Sequence, residues 1–159
     1  MRKHEKQITD PAALEDVLAR AQFCRIAMCD GDVPYVVPVC FGYEPGALYF
    51  HCAPEGRKLD ILRANPKVCF QADVDAKVIV KDEACACTAH YTCVIGTGTA
   101  AIVEDVDGKR HALDVLMRHY TDSGGGHEYP ENALGKTAVV RIDVTELVGK
   151  QSPAPSAGA

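Results

Sequence analysis

The amino-acid sequence predicts one mainly β domain: an antiparallel barrel, closed or nearly closed, with a few helices at its ends and corners. Strand-length apolar runs follow one another with turn residues between them, Asp30-Gly31 and Glu44-Pro45-Gly46 among them, which is the pattern of successive hairpins. Helical periodicity is confined to a few segments that do not alternate with the strands, so βαβ units are not expected. The chain of 159 residues is 47% apolar and 25% charged, enough for a single core. With no Trp and only four Phe, that core has to come mainly from Val, Ile, Leu, Ala and Cys.

Asp10-Pro11 opens the first helix, because Asp caps free amides and Pro suits the first helical position. Leu14, Val17, Leu18 and Ala21 then form one apolar stripe at helical spacing. FCRIAMC, PYVVPVCFGY and ALYFHC read as three strands of a hairpin meander. Pro38 cannot donate to a ladder, so its strand is an edge or carries a bulge. Residues 56–63 read as a short helix stopped by Asn65-Pro66. In residues 67–74, Val68, Phe70, Ala72 and Val74 alternate with Cys69, Gln71 and Asp73, the mark of a half-buried strand. KVIVK is a further short strand, and residues 91–103 form a long one with glycines at 96 and 98. Residues 105–120 read as a helix with Val106, Leu113, Leu116, Met117 and Tyr120 apolar, broken by Gly124-Gly125-Gly126. TAVVRIDV closes the domain. SPAPSAGA has nothing to bury and is expected to be disordered, so the domain is set at residues 1–150 and the tail at 151–159.

Charge and targeting patterns narrow the function classes. A formal net charge of −5 gives no electrostatic reason for a nucleic-acid partner. The basic start MRKHEKQITD leads into no apolar segment, and no apolar run approaches the length of a membrane span. A cytoplasmic protein with no membrane partner is the expectation, and its eight cysteines should then be reduced. Cys24, Cys29, Cys40, Cys52 and Cys69 lie in or at the ends of strand runs, where a thiol serves as a small hydrophobe.

Several motifs invite chemistry. Cys85, Cys87, His90 and Cys93 are metal-ligand types, but they crowd into nine residues instead of forming two separated knuckles, and a strand through Tyr91 would send His90 and Cys93 to opposite faces. No metal site is expected there. Gly96-Thr97-Gly98-Thr99-Ala100-Ala101 fits a dinucleotide fingerprint, yet the β-leaning TAAIV follows where a helix should open. Those glycines are read instead as a bend or as close backbone approach in a strand. Gly56-Arg57-Lys58 places two cations where a helix begins, a pattern that suits either a phosphate cradle or a solvated basic face. There is no G-x-S-x-G and no oriented Cys/His pair, and His111 and His119 read as surface residues.

Taken in order, the PYVVPVCFGY, LYFHCAPEGRK and VIGTG segments resemble the pyridoxamine 5'-phosphate oxidase-like FMN-binding split barrels, in particular their NimA-type branch associated with 5-nitroimidazole resistance. The similarity runs from about Ile8 to Pro153. It implies a six-stranded antiparallel split β-barrel that forms a homodimer, with FMN in a groove at the interface. Backbone around Val36, Pro38 and Val39 would face the isoalloxazine ring. His51, Cys52 and Ala53 would line the groove. Arg57 and Lys58 would bind the phosphate beside Leu59, and Cys93 and Val94 would add contacts. The chain departs from this family at ACACTAHYTC, where Cys87 replaces a tryptophan, Thr88 a serine, Thr92 an arginine and Cys93 a serine. Thr cannot supply the bidentate fork of an arginine, which places more weight on Arg57 and Lys58.

The function implied is an FMN-dependent oxidoreductase that passes electrons from a donor such as NAD(P)H to a small planar acceptor such as a nitroaromatic. His51 would serve as proton donor or orienting group; a strand-end histidine bonded to backbone is the equal alternative. Other readings are the same barrel holding a flavin or haem without turnover, and a Cys/His metal protein.

Overall fold

The computed structural model describes residues 4–122 and 126–152. It contains one mainly antiparallel sheet with helices packed around it, the expected split-barrel architecture. The strands are β1 (Gln7–Ile8), β2 (Cys24–Asp30), β3 (Val33–Val39), β4 (Phe41–Glu44), β5 (Ala47–Cys52), β6 (Lys67–Ile79), β7 (Thr88–Val103) and β8 (Ala138–Ser152). The helices are α1 (Pro11–Arg20), α2 (Arg57–Ala64), α3 (Val106–Tyr120) and the short α4 (Glu131–Leu134). No helix among the described residues is long and apolar enough to cross a membrane.

The sheet has eight strands in the order β3-β2-β6-β7-β8-β5-β4, with β1 alongside β8, and it does not close. The run PYVVPVCFGY, expected as one strand of a meander, is two strands divided at Cys40. β3 pairs with β2 alone at one end of the sheet, and β4 pairs with β5 alone at the other. Pro34 and Pro38 therefore sit on an edge strand, where a missing N–H costs no ladder bond on the open side. KVIVK is not a separate strand. It continues β6 past an irregularity between Val74 and Lys77, where Asp75 takes φ 57°. Gln151 and Ser152 pair with Thr92 and Tyr91 at the end of β8, beyond the expected domain limit at 150. The rest of the tail, and Gly124 and Gly125 of the glycine break, lie outside the described residues.

Local signals act as read in α1. Asp10 accepts from the Ala12 amide at 3.3 Å, and Leu14, Val17, Leu18 and Ala21 are all buried. They join Ile26, Met28, Phe41, Leu48, Phe50, Phe70, Val94 and Ile142 in the main core. In β6 the alternation holds, with Val68, Phe70, Ala72 and Val74 inside.

The stripe expected on α3 is rotated. Ala112, Val115 and Leu116 are its buried residues, whereas Val106 and Tyr120 are 49% and 43% exposed. The helix lies on the outer face of the sheet over Ala47, Tyr49 and Val139, a second small cluster. It comes so close to β4 that a Cβ on Gly42 would stand 2.7 Å from the Val115 carbonyl oxygen. Tyr120 stays near the surface because its hydroxyl is used twice: it accepts from the Phe41 amide at 3.0 Å and donates to the Gln22 carbonyl at 2.8 Å. His119, expected on the surface, is half-buried; its Nε2 lies 2.7 Å from the Ala21 carbonyl, and its ring packs 4.5 Å from Phe41. His111 is exposed but bonded, with Nε2 3.0 Å from Glu44 Oε1.

The dinucleotide-like glycines serve packing. A Cβ on Gly96 would strike the Phe70 ring at 2.2 Å, and one on Gly98 would meet the Asp143 carbonyl oxygen at 2.5 Å, next to the register shift between Thr97 and Gly98. Gly98→Ala is expected to destabilise the protein by about 1–3 kcal/mol through overpacking against backbone that cannot move aside. Chemical denaturation measures this directly, and an unchanged midpoint would contradict the close approach.

Glu44 anchors a polar cluster under α3. It accepts from the Tyr49 hydroxyl at 2.7 Å, and Tyr49 in turn takes a bond from Arg141 at 3.3 Å. Burial by itself would raise the Glu44 carboxyl, but hydrogen bonds from His111 and Tyr49 outweigh it and hold the group below its ordinary 4.5. Burial and the Glu44 carboxylate push Tyr49 up to about 12. A lowered carboxyl contributes stability that is complete above 4.5 and is lost as pH falls through the folded value. A raised phenol contributes stability present below 10 and lost as pH rises toward about 12. Urea midpoints taken across roughly pH 3 to 7 should therefore fall less steeply toward acid in Glu44→Gln than in the parent protein. Parallel curves would show that this carboxylate adds nothing to folding.

Candidate functional site

The candidate site is built around the start of α2, directly after β5. Gly56 caps the helix with φ 132°, a left-handed conformation that disfavours any side chain, although a Cβ there would meet nothing within 4 Å. Having no side chain, Gly56 offers no cap. The Leu59 and Asp60 amides turn back to the Gly56 carbonyl at 2.9 and 3.3 Å. The amides of Arg57 and Lys58 have no acceptor among the described residues. Two unpaired amides at the positive end of a helix, carried by two cationic residues, form a donor set that fits a phosphate.

The two cations diverge. Lys58 leans back over the end of β5, its Nζ 5.5 Å from the centre of the buried Phe50 ring. It also lies within electrostatic reach of Cys52, whose thiol is pushed up by burial against the opposing pull of the ammonium. His51, the residue before, is exposed and paired in the ladder with Val139, while Cys52 is half-buried opposite Ala138. Arg57 instead reaches across to the β2–β3 hairpin. Its Nε and Nη2 both donate to Asp30 Oδ2, at 3.2 and 3.1 Å, and its guanidinium lies 4.7 Å over the Tyr35 ring. Beside that contact is a cleft of about 520 Å³ lined by Cys29, Asp30, Gly31, Arg57, Asp60 and Ile61 among others.

The remaining candidate residues fall into two groups. Val36 is 62% exposed on the free edge strand β3, and Pro38, His51 and Ala53 are also open to solvent. Val39, Leu59 and Val94 are in the core, and Cys93 is buried as well, so these four can present main chain but little side chain. Val36 to Val39 and His51 lie on strands far apart in the sheet order, and Arg57 is what links the α2 end to the β3 side.

Asp30 and Tyr35 were not legible as site residues. Asp30 precedes Gly31 and reads only as half of a turn, and no local signal indicates an ion pair with a residue 27 positions later. The cysteine-rich stretch is organised locally. The Lys81 amide donates to Cys87 Sγ at 3.3 Å, and the loop passes through a one-turn 3-10 helix at Ala84–Ala86 before β7 begins. All eight cysteines are free thiols. Among the described residues no three His, Cys, Asp or Glu side chains converge as metal ligands. Replacing both Cys85 and Cys87 by Ser is expected to change stability by no more than about 0.5 kcal/mol, as at other exposed positions. Thermal unfolding and elemental analysis check this, and collapse of the fold would return the stretch to consideration as a metal site.

Comparison with known proteins bears on the family and the fold. Residues 10–151 match the family described as pyridoxamine 5'-phosphate oxidase. A crystal structure from Bacteroides thetaiotaomicron VPI-5482, described as that of a candidate 5-nitroimidazole antibiotic resistance protein, is 33% identical, covers 91% of this chain and 86% of its own, and superposes with a TM-score of 0.80. An uncharacterized protein of Rhizobium meliloti (strain 1021) is 26% identical over 144 residues, which are 86% of this chain and 88% of that protein. A Mycobacterium smegmatis protein described as binding FAD and haem shares the fold at a TM-score of 0.84 and 20% identity, over 97% of this chain and 77% of its own. The match across nearly the whole domain, on a split sheet of the same architecture, shows that this chain belongs to the pyridoxamine 5'-phosphate oxidase-like family.

Proposed function

We propose that this protein is a flavin-dependent oxidoreductase that holds FMN at the α2 end of the barrel and reduces a small planar acceptor of the nitroaromatic kind. The observation that carries the proposal is the uncapped start of α2, where the Arg57 and Lys58 amides have no acceptor among the described residues and Lys58 lies within electrostatic reach of Cys52. When bound, FMN would supply the electron chemistry between a donor such as NAD(P)H and the acceptor. The chain supplies binding and protons. Lys58 and the helix amides hold the phosphate. The free edge of β3 around Val36 offers main-chain groups and an apolar side chain to the ring. His51, exposed at the end of β5, gives a proton to the reduced acceptor.

A homodimer completes this reading. Flavin-sized sites bury most of their ligand, whereas β3 is an open shelf on which Val33 and Val36 are 52% and 62% exposed. A second copy laid against that shelf encloses the ring and covers both valines.

The absorption spectrum of the purified protein tests the cofactor first: flavin bands support the proposal, and a Soret band would assign haem instead. Anaerobic bleaching by NAD(P)H and reoxidation by a nitroaromatic test the chemistry. A flavin that NAD(P)H never bleaches and no acceptor reoxidises would leave a binding protein without turnover. Lys58→Ala should lose about 1.5–3 kcal/mol of FMN affinity, the worth of one charge-assisted bond. Unchanged flavin retention would move the phosphate elsewhere.

A further inference from the structure

We infer that Asp30 is a built-in competitor for the anion site: it occupies the Arg57 guanidinium, and a phosphate must displace it to recruit that arginine. The inference rests on the flavin reading above but reaches beyond it, since it concerns how the chain sets the strength of its own anion site.

Three observations carry it. Arg57 spends two donors, Nε and Nη2, on the single oxygen Oδ2 of Asp30, so one carboxylate oxygen takes the geometry that a phosphate oxygen would take. The Tyr35 ring lies 4.7 Å from the guanidinium carbon, a cation–π contact that holds the arginine beside the β2–β3 hairpin for either partner. Both side chains are open to water, at 57% for Arg57 and 48% for Asp30. An ion pair so exposed is worth only about 0.2–1 kcal/mol, so it can be exchanged. The second carboxylate of the same cleft, Asp60, is paired with Arg63 at 3.2 Å and does not replace Asp30. Lys58 is turned toward Phe50 and Cys52 and, among the described residues, has no carboxylate partner of this kind. The two adjacent cations therefore have different roles: Lys58 is available at all times, and Arg57 is held back by a carboxylate.

The consequence is a specificity by charge. A ligand oxygen that only equals a carboxylate gains nothing by displacing Asp30, whereas a phosphate dianion outcompetes it. Neutral ligands that carry the same ring are indifferent to Asp30.

Fluorescence titrations of apoprotein with FMN and with riboflavin test this in four proteins: the parent, Asp30→Asn, Arg57→Ala and the double variant. Asp30→Asn should tighten FMN by about two- to fivefold, the release of one exposed ion pair, and leave riboflavin unchanged. In the Arg57→Ala background the Asp30 substitution should have no effect. Weaker FMN binding in Asp30→Asn, or an equal shift for riboflavin, overturns the inference. A gain that persists undiminished without Arg57 assigns Asp30 to through-space repulsion and overturns it too. If neither flavin binds any of the four, the flavin reading fails, and inorganic phosphate then decides the competition. The Arg57 Nε–H resonance should move at lower phosphate concentration in Asp30→Asn than in the parent. No movement in either protein, or identical titrations, overturns it.

Discussion

The fold depends on one break in the chain. Between Val39 and Phe41 the backbone leaves one edge of the sheet and begins the opposite edge, so the strands that would have paired across that point do not. Something other than a β-ladder has to hold the two ends near one another. Part of that work falls to the C-terminal turn of α3, where Tyr120 takes the Phe41 amide and bonds the Gln22 carbonyl, while His119 bonds the Ala21 carbonyl and stacks on Phe41. These contacts join the end of α1 and the start of β4 through one helix. The other brace is α2, whose Leu59, Ile61 and Leu62 are buried in the core while Arg57 reaches the β2–β3 hairpin.

The same break bears on the candidate site. Because the sheet is open, β3 keeps a free edge; the start of α2 has no side-chain cap among the described residues. A closed barrel would have paired the β3 edge internally. The candidate site offers backbone without described partners, together with two cations that the sequence places side by side and the structure sends in different directions.

How far the site could be read from the sequence varies with the range of the interaction. The Asp10-Pro11 cap, the α1 stripe and the alternation of Val68, Phe70, Ala72 and Val74 are local and were legible, because capping and burial patterns repeat within a few residues. Gly56-Arg57-Lys58 was legible as a helix start for the same reason. The split of PYVVPVCFGY at Cys40 was not, since both halves carry ordinary strand residues and only the distant partners β2 and β5 distinguish them. The rotation of α3 was hidden because Tyr120 and Val106 look apolar, while the small Ala112 that faces Tyr49 and Val139 carries a weaker signal.

The sequence by itself determined the mainly β architecture, the places of the three longer helices and the family, because these follow from short-range periodicity and from motifs kept in order along the chain. Only the tertiary structure decided which strands end the sheet, that Gly96 and Gly98 make room for Phe70 and for the Asp143 carbonyl, and that Arg57 answers to Asp30 while Lys58 does not. Each of those depends on groups far apart in sequence meeting within a few ångströms, and no local pattern of residues encodes that meeting.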